Sequence, residues 1–146
     1  MGEDITKNRK AFHDYHIEEK YEAGIMLVGS EIKSIRDKPP SIKEAYVKIE
    51  NNEVWLIGAH IPEFKQASIF NHEPTRKRKL LLNRKEIKKL KNNLELKGYT
   101  LVPLKFYFNK RNMVKVQIGL GKGKKNYDKR QGLKKKDDQR RMERYT

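Results

Sequence analysis

Cysteine is absent from the 146 residues, which excludes disulfides and thiolate metal sites and suits a reducing compartment. No run of about 20 apolar residues exists to cross a bilayer as a helix. The start, MGEDITKNRK, also lacks the apolar stretch a secretory signal needs. The expected location is therefore the cytosol, with no membrane role. Negative charge is scarce as well: 19 Asp+Glu stand against 35 Lys+Arg, for a net charge of +16 and a pI near 9.9. An excess of this size calls for a polyanionic partner, whether nucleic acid, an anionic surface or an acidic protein.

The cations are densest near the C-terminus. Lys122 to Arg130 reads KGKKNYDKR, directly behind a strand-like segment. Lysine and arginine neutralise phosphates, glycine permits close approach of the backbone, and tyrosine offers a face for base stacking, so the stretch reads as a nucleic-acid contact. The chain is long enough for one core and too short for two ordinary domains. Its expected organisation is a folded body over residues 1–130 and a basic tail over 131–146.

Within the body, residues 15–28 read as a bent strand broken at Gly24. Ser30 is placed to cap a short helix carrying Ile32 and Ile35, which Pro39 and Pro40 stop. Ser41 and Glu44 suggest a brief turn. Residues 45–50 and 54–57 then alternate as a hairpin around Asn51 and Asn52. Residues 61–75, with Pro62 and Pro74, have no period and read as a long surface loop. The plainest helix follows, with Asn83 as N-cap, Glu86 three residues on, an apolar face of Ile87, Leu90 and Leu94, and Gly98 as its stop. Residues 99–108 and 113–120 form a last pair of strands around a turn at 109–112. Three strands, a helix and two strands is the order of an oligonucleotide-binding (OB) barrel, so the expected class is mainly β: a closed antiparallel OB-like barrel with a few helices. A sandwich with one helix also fits.

Catalytic chemistry finds little support. His13 and His16 are read as lying on one strand, where residues three apart face opposite sides, so a zinc pair is not expected. The GKGKK run lacks the Gly-Lys-Ser/Thr ending of a nucleotide-binding loop. Neither a metal nor a cofactor is called for, and no enzyme is read. The remaining enzymatic alternative is an RNA-processing activity with His13 and Glu22 as acid and base.

Several separated segments occur in an order that resembles the SmpB family, the SsrA-binding proteins of bacteria: NRKAFHDY at 8–15, EEKYEAGI at 18–25, SEIKSIR at 30–36, TRKRKLLLN at 75–83, GYTLVPLKFYF at 98–108 and GKGKKNYDKR at 121–130. The resemblance implies a barrel of the kind just argued and a role in trans-translation. Such a protein binds the tRNA-like domain of transfer-messenger RNA (SsrA RNA) and carries it to stalled ribosomes. It meets alanyl-tRNA synthetase and EF-Tu indirectly, through the RNA. On the tRNA-like domain the resemblance places Asn8, Arg9, Lys10, His13, Glu22, Lys33, Arg76, Lys77, Lys79, Asn83, Lys122 and Lys124. His13 fits an RNA contact and a backbone-satisfying role equally. Glu22 is unusual, because a carboxylate on an RNA face must accept from base or ribose donors or orient a cation; composition alone favours a salt bridge to lysine. For the cations at 76–79, phosphate contact competes with a solvated charge run.

At the small-subunit decoding region the resemblance places Gly123, Lys125, Tyr127, Asp128, Lys129 and Arg130, with Tyr127 stacking where an anticodon would otherwise lie. The tail beyond, with Lys134, Lys135, Arg140 and Arg141, has too few apolar residues to fold alone and is expected to be disordered in the free protein. Its spacing allows a helix once phosphates cancel the repulsion, as in an empty message channel. His16, Gly119 and Gly121 depart from the family pattern, the glycines suggesting a more flexible last strand. A ribosomal or initiation-factor-like OB protein binding rRNA is the competing reading, since charge and fold would look alike.

Overall fold

Local signals account for the most regular parts of the molecule. The computed structural model describes residues 4–65 and 71–124. Its elements run β1 (Asp4–Lys7), α1 (Arg9–Asp14), β2 (Tyr15–Ile25), α2 (Gly29–Asp37), β3 (Tyr46–Glu50), β4 (Glu53–Ile57), β5 (Arg78–Leu81), α3 (Arg84–Lys97), β6 (Thr100–Phe108) and β7 (Val114–Gly123). In α3 the Asn83 Oδ1 accepts from the Glu86 backbone N–H at 2.8 Å, while Glu86 Oε1 accepts from the Asn83 N–H at 3.3 Å. Gly98 closes the helix in the left-handed region at φ 64°. The β3–β4 turn places Asn51 and Asn52 at φ 50° and 61°, a left-handed pair that asparagine tolerates.

The seven strands form one antiparallel sheet in the order β1-β6-β7-β2-β5-β4-β3. Its inner face holds the main core, with Leu56, Leu80, Leu90, Phe106, Val116, Ile118 and Leu120 fully or almost fully buried, and α3 covers it with Ile87, Leu90 and Leu94. A second apolar set lies on the opposite face, where Ala11 of α1 meets Val102 and Leu104, flanked by Phe12, Tyr15 and Ile17. Burying Leu90 alone contributes roughly 2 kcal/mol of transfer free energy.

Several expectations need correction. The barrel is not closed: among the described residues β1 and β3 end the ladder. The outer edge of β6 is paired with β1 through Lys105–Tyr107. Where Thr100 and Leu101 approach β3, a cleft lined by Val47, Ile49, Leu94 and Tyr99 replaces a ladder. Five strands rather than three precede the long helix, because β1 and β5 carry too little alternation to be read locally. His13 lies in the last turn of α1 whereas His16 lies on β2, so the pair does not share a strand.

Helix α2 starts earlier than Ser30, with Val28 as N-cap and Glu31 Oε1 accepting from the Val28 N–H at 2.9 Å. The Ser30 hydroxyl instead donates to His72 Nδ1 at 2.8 Å, and His72 Nε2–H donates to the Ile61 carbonyl at 2.8 Å. With Ile61 and His72 both buried, the 61–75 segment is irregular yet pinned to the body where it is described. Gly119 and Gly121 are sites of close approach. A Cβ on Gly119 would lie 2.9 Å from Leu104 Cδ1, and one on Gly121 would run into the His16 carbonyl. Alanine at 121 requires the β2–β7 ladder to shift beside its bulge between Ile17 and Glu19.

Candidate nucleic-acid interface

Alternation along three strands builds one cationic face. The register sets Lys20 opposite Gly119, Glu22 opposite Gln117, and Lys115 opposite both Gly24 and Tyr107; Lys105 faces Gln117 and, across the other ladder, Lys7. Because Ala23, Phe106, Val116 and Ile118 point into the core, these neighbours turn to the outer face. Helix α1 sits at its margin. There Phe12 receives two ammonium groups, Lys7 Nζ at 5.1 Å and Lys20 Nζ at 5.5 Å from the ring centroid.

Glu22 stands exposed among these cations, and its hydrogen-bond partner is the Tyr107 hydroxyl rather than a lysine. Burial first, and then the neighbouring carboxylate, raise the Tyr107 pKa above the ordinary phenolic value. The hydroxyl therefore stays a donor, and it orients a carboxylate that keeps further lone pairs for base or ribose donors.

The N-terminal motif divides by role. Asn8 is buried and acts as a positioning residue, not as the exposed contact expected of it. Its amide donates to the Pro103 carbonyl at 3.0 Å and to that of Ile42 at 3.4 Å, while Oδ1 caps α1 through the Ala11 N–H at 3.2 Å. Arg9 and Lys10 are exposed on α1 and line a cleft with Pro40–Lys43. The exposed His13 holds Asp14 Oδ1 at 3.0 Å, and this bond lowers the Asp14 pKa. The ladder brings Lys122 opposite His16 and Gly123 opposite Tyr15. Lys122 rests over the Tyr99 ring at 5.0 Å, and Lys124 follows it, exposed. Residues 8–22 and 122–124 thus meet at one corner although they lie a hundred positions apart.

The 76–83 segment lies elsewhere, since β5 touches β2 only at Gly24 and Ile25. Its four cations point alternately inward and outward. Arg78 is fully buried: it pairs with Glu31 and donates to the carbonyls of Ala59 and Pro74, each at 2.9 Å. Arg76 Nη2 reaches Glu31 Oε1 at 2.5 Å and the Met26 carbonyl at 3.1 Å. Outward, Lys77 Nζ meets Glu50 at 2.7 Å and lies 4.6 Å from the Trp55 ring centroid, and Lys79 meets Glu53 at 3.5 Å. Lys77, joined by Lys48, pulls the Glu50 pKa down to about 2. Arg76, Lys77 and Lys79 therefore already hold carboxylates, and Asn83 caps α3. Lys33 is exposed on α2.

Sequence reasoning missed Lys7, Phe12, Lys20, Lys105, Tyr107 and Lys115. Strand alternation gives each a side, but only the register across three strands shows that they share one. Lys125, Tyr127, Asp128, Lys129, Arg130, Lys134, Lys135, Arg140 and Arg141 lie outside the described residues.

Comparison with known proteins places this face in context. The family model described as SmpB protein matches residues 5–146. The SsrA-binding protein of Bacillus subtilis is 53% identical over 143 residues, covering 98% of this chain and 91% of its own. That of Fervidobacterium nodosum is 49% identical over 141 residues, covering 97% and 95%. A solved structure described as "tmRNA-SmpB: a journey to the center of the bacterial ribosome" matches with a TM-score of 0.66 at 45% identity, over 81% of this chain and 82% of that one. The ordered motifs, the open β-sheet body and a match spanning nearly every residue agree: this chain belongs to the SmpB family.

Proposed function

We propose that this protein binds the tRNA-like domain of transfer-messenger RNA and delivers that RNA to stalled ribosomes for trans-translation. The observation that carries the proposal is the match to SsrA-binding proteins at about half identity over nearly the whole length. The outer face supports it physically, with cations for phosphates, Phe12 and Tyr107 at its surface, and one oriented carboxylate for a base or ribose donor.

In this reading residues 1–130 are an OB-like RNA-binding body, and residues 131–146 are a basic tail that becomes helical only when bound. The tRNA-like domain contacts the corner formed by Arg9, Lys10, His13, Glu22, Lys122 and Lys124. Gly123 to Arg130 meet the decoding region of the small subunit, and the tail enters the empty message channel. The protein works in the cytoplasm and does no bond chemistry itself. Among the described residues no helix is long and apolar enough to cross a membrane.

The test is binding of the purified protein to the isolated tRNA-like domain at physiological salt, with ordinary alanine tRNA as competitor. Tight binding that resists the competitor is expected. Equal, weak binding of both RNAs with a steep salt dependence overturns the proposal in favour of nonspecific or rRNA binding.

A further inference from the structure

The outer wall of α3 is a strongly charged surface with no part in the corner just described. Arg84, Lys88 and Lys91 recur at intervals of four and three, so they share one side of the helix. Together with the Asn51–Asn52 turn of the β3–β4 hairpin they line an open groove of about 700 Å³, whose lining also includes Ile87, Asn92, Glu53 and Glu95. Among the described residues none of the three cations has an ion pair or hydrogen bond to protein, in contrast to Lys77, Lys79 and Lys89, which all hold carboxylates. Glu53 is engaged by Lys79. The facing wall offers two exposed asparagine amides on a turn locked in the left-handed region.

This groove lies on the inner side of the sheet, beyond the core that α3 covers, whereas Lys20, Glu22 and Lys105 lie on the outer side. An RNA held on the outer face leaves it open. We infer that the α3 groove is a second RNA-backbone site, taking a strand of ribosomal RNA while the outer face holds the tRNA-like domain. Cations along a helix with amides opposite them fit a sugar-phosphate strand: ammonium and guanidinium groups meet phosphate oxygens, and the amides reach ribose hydroxyls. The inference rests on the proposed delivery role for its choice of occupant.

The test compares the full-length protein with the variant Arg84→Ala/Lys88→Ala/Lys91→Ala. All three side chains are on the helix exterior, and alanine preserves helix propensity. Two affinities are measured across a salt series: that for the isolated tRNA-like domain, and that for purified ribosomes by co-sedimentation without transfer-messenger RNA. A control variant, Lys38→Ala/Lys65→Ala/Lys110→Ala, removes the same charge elsewhere.

The expected result is an unchanged affinity for the tRNA-like domain. Ribosome affinity should fall by about tenfold, with the salt slope shallower by roughly 2 for three lost phosphate contacts. Asn51→Asp/Asn52→Asp, which keeps residues that tolerate the turn and adds negative charge, should also weaken ribosome binding. The inference is overturned if ribosome affinity stays put, if the control loses as much, or if only the affinity for the tRNA-like domain drops. Failure of the unaltered protein to bind that domain selectively would instead strike the proposed function, while the ribosome measurement still decides the groove.

Discussion

Glu31 of α2 and Arg78 of β5 form an ion pair in which neither side chain has any exposed surface. Arg76 braces the same carboxylate from the rim. Through this pair the start of β5 is tied to α2, and the carbonyls of Ala59 and Pro74 are satisfied by the same guanidinium.

Removing one partner leaves a buried charge uncompensated. Glu31→Ala or Arg78→Ala should each destabilise the fold by about 3–5 kcal/mol, read from urea unfolding. Glu31→Leu/Arg78→Met should recover much of that loss, which a purely additive pair of defects would not.

The same carboxylate makes stability depend on acid. Burial raises the Glu31 pKa, but hydrogen bonds from Arg76, the Val28 N–H and Arg78 outweigh it, so the folded value lies below the ordinary one. The contribution is fully present above the unfolded pKa of about 4.3 and is lost as pH falls through the lower folded value. The urea midpoint should decline below about pH 4.5, and Glu31→Gln should flatten part of that decline.

Asn8 acts through α1. Asn8→Ala removes a cap and two carbonyl partners and should cost about 1–3 kcal/mol in unfolding experiments. Its effect on RNA binding should appear as loss of α1 order, with an unchanged salt slope, because no charge is removed. Asn8→Asp keeps the acceptor for the Ala11 N–H and should restore the cap but not the bonds to Pro103 and Ile42.

The outer face separates charge from orientation. Lys20→Ala and Lys115→Ala should each reduce the salt slope of RNA binding by about 0.7–0.9. Tyr107→Phe, which frees the Glu22 carboxylate from its donor, should lower affinity with no change of slope. Lys77→Ala should matter less than Lys20→Ala, since Lys77 is already neutralised by Glu50. A larger effect at Lys77 would move the RNA contact toward β5.

What was legible in the sequence is what depends on near neighbours. Helix α3 showed itself through Asn83, Glu86 and Gly98, and the β3–β4 hairpin through alternation and two asparagines, because caps and turns act within a few residues. By contrast β1 is four residues long and owes its existence to β6, and α1 is six residues anchored by Asn8 on Pro103. No local window contains those partners. Arg78 looks like its three cationic neighbours until Glu31, 47 positions earlier, is seen to need it. The family motifs at 8–15 and 121–130 meet at one corner of the molecule, but they could not separate Asn8, which builds it, from Arg9 and Lys10, which it displays.

The long β2–β7 ladder has a temporal consequence. It joins Tyr15 to Gly123 and Gly24 to Lys115, so β2 must wait during synthesis for a strand made long after it. Non-local pairing of this kind folds slowly, and until it forms β2 is laddered only to β5, at Gly24 and Ile25. The hairpin β3–β4 and helix α3 are free to assemble during synthesis. The corner carrying His13, Glu22 and Lys122 appears only when both ends of the body are present, so an incomplete chain cannot present it to RNA.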